Sequence, residues 1–195
     1  MDTRPTGTGP SGAMVVVVGP SGAGKDTLMA YAARHFANRE DVLFVRRVIT
    51  RDGAAGGEDH DAVSEETFET LESAGRFAVS WGAHGLRYGI PAETKAAVDR
   101  GQLVVANGSR SALSRFKAVY PSLFVINVTA SPDVLAARLA ARGRETKAEI
   151  LRRLERSSLA VAGDYRVITI DNSGSVETAG QAMVEALQGC LPAAR

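Results

Sequence analysis

Cysteine is nearly absent: the chain of 195 residues carries one, Cys190. That excludes an intramolecular disulfide framework and a multi-cysteine zinc site. Cys190 lies in a helical pattern near the C-terminus and reads as a structural thiol. An excess of either charge is also lacking. Lys plus Arg total 23 and Asp plus Glu total 22, a net charge of +1. Such a chain does not coat nucleic acid by bulk electrostatics, so no nucleic-acid partner is expected. No apolar run approaches the roughly 18 residues of a membrane span, so no membrane partner is expected either. Residues 1–13 contain Gly, Pro, Thr and Ser without the apolar core of a signal peptide. They are expected to be a flexible N-terminal tail on a cytoplasmic protein, with Met1 or Met14 as the start.

What is present is ordinary for a globular domain: 45% hydrophobic and 23% charged residues. Met14-Val15-Val16-Val17-Val18 is a β-branched run with no polar interruption, which suits a central parallel strand buried on both faces. Further strands are expected at 43–49, 77–81, 103–106, 123–128 and 166–170. Helical patterns run over 25–37, 64–73, 91–101, 109–119, 131–141, 147–162 and 176–187. Ser64, Ser109 and Ser131 are candidate N-caps, and Pro91 is placed at a first helical position. Residues 50–63 and 82–90 read as loops. The alternation predicts an α/β fold with a parallel sheet and helices on both faces. One domain, 14–195, is expected, with an insertion near 50–90 over the strand ends and a lid near 138–148.

Gly19-Pro20-Ser21-Gly22-Ala23-Gly24-Lys25 matches the first seven positions of a P-loop. Its glycines let successive N–H groups converge on phosphate oxygens, and the following helix N-terminus adds positive partial charge. Lys25 is the expected partner of the β- and γ-phosphates of ATP. The usual Ser or Thr after the lysine is replaced by Asp26, with Thr27 next. Asp26 either holds Mg²⁺, a cation that prefers oxygen ligands, or is an acid favoured by the helix dipole. The strand at 103–106 ends in Asn107, without a carboxylate as a second metal anchor.

Arg138, Arg142 and Arg144 bracket Gly143. Mobile arginines stabilise the charge that spreads over a phosphoryl group in transfer, so these three are candidate catalytic cations of a closing lid. Arg152 and Arg156 read as a solvated helical face.

Residues 14–187 resemble the guanylate kinase-like branch of the P-loop kinases. The marks are the P-loop, Thr50-Arg51, Gly57-Glu58, Val63-Ser64 with Phe68, His84-Gly85, Tyr88-Gly89 and the arginine lid. The resemblance implies a Thr-Arg loop and a Tyr-Gly element that bind the acceptor's phosphate. Two departures matter. The second arginine that precedes Gly-Glu in guanylate kinases is missing from Asp52-Gly53-Ala54-Ala55-Gly56. The glutamate that accepts hydrogen bonds from guanine is Val79, and guanine donors facing a valine are left unpaired. The set Gly56 to His60, Ser80-Trp81, His84 to Ile90 and Asn107 to Arg110 resembles instead members of this branch that act on a phosphorylated ribose. That implies transfer from ATP to a sugar phosphate, in phosphoribosyl diphosphate supply and phosphonate breakdown.

An acceptor phosphate is already ionised and needs alignment and neutralisation more than a general base. Arg51, Arg87 and Arg110 are the candidate cations. Glu58, Asp59, His60 and Asn107 are candidate readers of sugar hydroxyls, and His84 and Tyr88 complete the candidate acceptor site. His60 and His84 with Asp59 or Asp61 lack a metal-ligand spacing. Trp81 lines the pocket or packs in the core. Arg138 and Asn172 are candidate contacts of adenine, or capping and surface residues. A nucleoside monophosphate kinase with a displaced reader is one alternative. A catalytically silent interaction module is another, and the intact Lys25 and glycine set argue against it.

Overall fold

The computed structural model describes residues 12–51, 60–141 and 161–192. Among the described residues, nine strands form two sheets. The larger is parallel and contains β1 (Ala13–Val18), β2 (Val42–Phe44), β7 (Leu103–Asn107), β8 (Leu123–Thr129) and β9 (Arg166–Asp171), in the order β2-β7-β1-β8-β9. The smaller contains β3 (Arg47–Ile49), β4 (His60–Ala62), β5 (Phe77–Ala83) and β6 (Leu86–Pro91), in the order β4-β3-β6-β5. Helices α1 (Lys25–His35), α2 (Glu65–Ser73), α3 (Glu93–Asp99), α4 (Leu113–Val119), α5 (Pro132–Ala140) and α6 (Val176–Gln188) fill the connections.

The unbroken valine run of β1 is explained by its place in the middle, between β7 and β8. Alternate side chains serve two cores. Val15 and Val17 pack with Leu28 and Ala32 of α1 and with Met183, Val184 and Leu187 of α6. Met14, Val16 and Val18 pack with Phe116 of α4, Ala97 and Val98 of α3, and Val79, Trp81 and Ile90 of the smaller sheet. Each fully buried valine contributes about 1.5–3 kcal/mol, so a strand used on both faces anchors the domain. Cys190 is buried in the first of these cores, and burial raises its thiol pKa to about 11.

Ser64, Ser131 and Ser175 cap α2, α5 and α6, each accepting a bond from a backbone N–H three residues on. Several boundaries differ from expectation. The single strand expected at 43–49 is two strands in different sheets. Val45 N–H still bonds Val105 O at 2.8 Å, and the chain then leaves β7 and pairs with β6. The loop expected at 82–90 is largely a hairpin. Its turn residues His84 (φ 54) and Gly85 (φ 73) are both left-handed, the conformation that tight two-residue hairpin turns demand. Pro91 therefore closes β6 opposite Phe77, and α3 starts at Glu93. Ser109 makes no side-chain cap bond; a 3-10 turn at Arg110–Ala112 leads into α4. The expected 50–63 loop contains the short strand β4. The tail up to residue 11, Glu58, Asp59, the lid arginines Arg142 and Arg144, and nearly all of the 147–162 helix lie outside the described residues.

Candidate active site

The chain turns sharply after β1. Gly22 and Gly24 have φ of 85° and 89°, a region that side chains avoid. Space is short as well. A Cβ on Gly19 would lie 2.2 Å from Val128 O, and one on Gly24 would lie 2.4 Å from the Asn172 amide nitrogen. Lys25 Nζ donates to Gly19 O at 3.0 Å and Pro20 O at 3.2 Å, holding the ammonium against its own loop. Phosphate oxygens are stronger acceptors than carbonyls and can take those donors over. Pro20, Ser21, Ala23 and Thr27 complete the turn and first helical residues, with Ser21 and Thr27 exposed and Ala23 buried.

The turn is braced from β9's end. Asn172 is 2% exposed. Its Nδ2 donates to Ala23 O at 2.8 Å, and its backbone carbonyl accepts from Arg138 at 3.0 Å. Arg138 also reaches Gly22 O at 3.5 Å. The sequence marks both as candidate adenine contacts; in this structure they clasp the phosphate turn. Asn172 Oδ1 is buried without a hydrogen-bond partner among the described residues.

Asp26 and Asn107 meet although 81 residues apart: Asn107 Nδ2 donates to Asp26 Oδ1 at 2.7 Å. Asn107 ends β7 beside β1, paired with Val17, which brings it next to the first turn of α1. One carboxylate oriented by an amide fits Mg²⁺, which needs few protein oxygens when phosphates supply the rest. Among the described residues no group of three or more His, Cys, Asp or Glu forms a metal cluster.

Arg110 lies just beyond β7 and donates to Asn127 Oδ1 at 3.2 Å. Its Nε is buried without a hydrogen-bond partner among the described residues. Burial lowers its pKa below the ordinary arginine value, yet a guanidinium stays charged. A cation held by a neutral amide suits an incoming phosphate. Asn127, on β8, was not singled out by its sequence context.

The smaller sheet has two unlike faces. Arg87 of β6 points at α2, where it bridges Glu69 at 3.2 Å and Glu72, and lies over Phe68. Ser80 Oγ joins the same side, donating to Glu72 at 2.6 Å. Tyr88, the next residue, takes the opposite face. Its ring stacks on Trp81 with centroids 5.3 Å apart and planes 9° apart. Arg47 of β3 lies over both, 5.0 Å from the Tyr88 centroid and 5.8 Å from that of Trp81. Trp81 continues into the core against Phe116. Val79, at the position of the guanine reader, is buried in that core. Thr50 Oγ1 accepts from Arg87 N–H at 2.8 Å, tying the Thr-Arg segment to β6. Arg51 follows, half-buried; His60 is half-buried on β4, and His84 is exposed at the hairpin turn. Arg47 was missed in the sequence because it sits inside an apparent continuous strand.

A strand, a glycine turn clasping a lysine, and a helix at the carboxyl end of a parallel sheet define an AAA-like P-loop domain. The AAA domain family model matches residues 15–158. The guanylate kinase of Anaplasma phagocytophilum shares the fold, with a TM-score of 0.65 at 20% identity, over 92% of this chain and 86% of that one. Two relatives are far more similar in sequence. Ribose 1,5-bisphosphate phosphokinase PhnN of Rhizobium etli is 63% identical, with 92% of this chain and 91% of the relative covered. The protein of the same name from Agrobacterium fabrum is 60% identical over 90% of this chain and 96% of its own length. The chain belongs to the ribose 1,5-bisphosphate phosphokinase family. No helix among the described residues is long and apolar enough to cross a membrane.

Proposed function

We propose that this protein transfers the γ-phosphoryl group of ATP to the 1-phosphate of ribose 1,5-bisphosphate, giving 5-phosphoribosyl 1-diphosphate and ADP. The observation that carries this reading is 63% identity to a ribose 1,5-bisphosphate phosphokinase over nearly the whole chain. The site's chemistry agrees with it. An oxygen of the acceptor phosphate attacks Pγ, a new P–O–P bond forms, and the bond from Pγ to the β-phosphate oxygen breaks. No proton must be removed from the nucleophile, which matches a site rich in cations.

The residues divide the work as follows. The N–H groups of residues 19–25 receive the donor phosphates, and Lys25 moves from its loop carbonyls to the β,γ-oxygens. Asp26, oriented by Asn107, is the protein's oxygen ligand for Mg²⁺. Mg²⁺ held there would supply charge screening for the phosphates. Arg138 and Asn172 keep the turn in its receptive shape, and Arg142 and Arg144 are assigned to the closing lid. Arg51, Tyr88 and Arg110 align the acceptor phosphate, while Glu58, Asp59, His60 and His84 are assigned to the sugar side. Arg87 is taken up by α2 and is left out of this scheme.

The test is a panel of acceptors with ATP and Mg²⁺, followed by phosphorus NMR. Ribose 1,5-bisphosphate should yield the diphosphate signal, with GMP turned over poorly. Good turnover of GMP without product from the ribose bisphosphate would refute the assignment.

A further inference from the structure

The end of β1, where the P-loop begins, is flanked by two asparagines, one on each neighbouring strand. Asn107 on β7 is paired with Val17, and Asn127 on β8 is paired with Val18. Val17 belongs to the core under α1, and Val18 to the core shared with α4 and the smaller sheet. Paired residues of neighbouring strands point to the same face, so the two amides serve opposite sides of the sheet. On the α1 side Asn107 meets Asp26. On the other side Asn127 meets Arg110, whose Nη2 donates to Asn127 Oδ1 at 3.2 Å.

β7 and β8 are not neighbours, so the Arg110 side chain spans β1 to make this bond. Two strand spacings amount to about 10 Å. Gly108 shortens the reach. Its backbone lies against β1, where a Cβ would stand 2.3 Å from Val16 Cγ1. The bridge therefore ends beside Val18, the residue before the P-loop's first glycine.

The partner of this cation is neutral. Arg39, Arg46, Arg76 and Arg87 each face a carboxylate. Arg110 faces an amide, and among the described residues no carboxylate pairs with it. Its Nε is buried without a hydrogen-bond partner among the described residues. A half-buried charge and an unspent donor both call for compensation, and an anion supplies it to both. Arg110 and Asn127 are half-buried rather than sealed in the core, so an anion can approach them. An aspartate at position 127 would neutralise the cation permanently. An asparagine orients the guanidinium and leaves its charge unspent.

We propose that Asn127 is a positioning residue for the transfer step: it holds the Arg110 guanidinium across the end of β1 to receive the acceptor phosphate beside the P-loop, and as a neutral group it keeps that charge for the phosphate. The inference rests on the ribose 1,5-bisphosphate reading above, in which Arg110 aligns the acceptor phosphate, and adds the residue that aims it.

The experiment compares Asn127→Asp and Asn127→Leu, with Arg110→Met and the Asn127→Leu/Arg110→Met double variant closing a cycle. Steady-state rates are taken with ATP, Mg²⁺ and varied ribose 1,5-bisphosphate. Calorimetry with a non-hydrolysable ATP analogue reports on the donor side, and melting temperature on folding. Asn127→Asp should keep or raise the melting temperature, because it pairs with Arg110. It should nevertheless raise the acceptor KM by about 10²-fold, since it sets like charge beside the phosphate. A merely structural contact would be strengthened by the aspartate with KM unmoved. Asn127→Leu should lower kcat/KM for the acceptor by about tenfold, the scale of one hydrogen bond to a charged group. Analogue binding should stay within a few-fold in both. In Arg110→Met protein, the further change Asn127→Leu should lower activity no more. An unchanged acceptor KM in the aspartate variant, losses that add in the double variant, or analogue binding that falls as far as acceptor use would each overturn the role of Asn127 while leaving the enzyme's assignment standing. Should the aspartate variant fail to fold, the leucine cycle decides. Wild-type protein that ignores ribose 1,5-bisphosphate and phosphorylates GMP overturns both.

Discussion

The P-loop end of the five-stranded sheet and the aromatic face of the four-stranded sheet are built on opposite principles. At the donor end, one contiguous segment supplies backbone groups, and side chains from afar only brace it. Lys25 bonds its own loop, and Asn172, just past β9, and Arg138 of α5 clasp that loop. On the aromatic face of the smaller sheet, the backbone only aligns strands, and side chains of three of them meet: Arg47, Trp81 and Tyr88. Backbone recognition tolerates sequence change as long as the glycines remain. Side-chain recognition changes its ligand when single residues change.

The contrast can be broken most severely at Lys25. Lys25→Ala should reduce phosphoryl transfer by about 10³-fold or more in a coupled ADP assay, because no other described residue places an ammonium in the turn. Melting temperature should hardly move. On the aromatic face the largest effect should instead be on folding. Trp81→Ala removes a ring packed on Tyr88 and Phe116. It should cost about 3–5 kcal/mol in urea unfolding. A small loss there would mean that the face is a loose pocket rather than a wall of the core.

Smaller effects sharpen the picture. Asn172→Ala removes the bond to Ala23 O and should cost about 1–3 kcal/mol of stability, with weaker binding of an ATP analogue by calorimetry. Asn107→Leu frees Asp26 from its 2.7 Å bond. It should raise the Mg²⁺ concentration for half-maximal analogue binding by about tenfold, the worth of one charge-assisted bond. Arg87→Met removes a half-exposed ion pair on the outer face. It should lower the unfolding free energy by about 1 kcal/mol or less, read by urea titration.

Much of the donor end was legible beforehand. The valine run, the glycines and Lys25 are neighbours in sequence, and their local geometry follows from their own steric limits. The capping serines Ser64 and Ser131 were readable for the same reason. The hairpin at His84-Gly85 was not, since a histidine with positive φ is uncommon and carried no turn signal. Nor was the break at Val45, where one apparent strand divides between two sheets. Composition does not encode which partner strand offers free hydrogen-bonding groups. Arg87 and Tyr88 look equally available in the sequence, and only strand alternation beside α2 sends them to opposite sides.

The sequence by itself determined a phosphate-binding α/β kinase, because a P-loop is a short-range device whose glycines, lysine and helix start must be adjacent. Tertiary structure alone decided which distant side chains meet. Arg47 reaches Trp81 and Tyr88 only when three strands distant in sequence pair, and Asp26 meets Asn107 only because β7 lies beside β1. Those encounters depend on long-range register, which no local run of residues can specify.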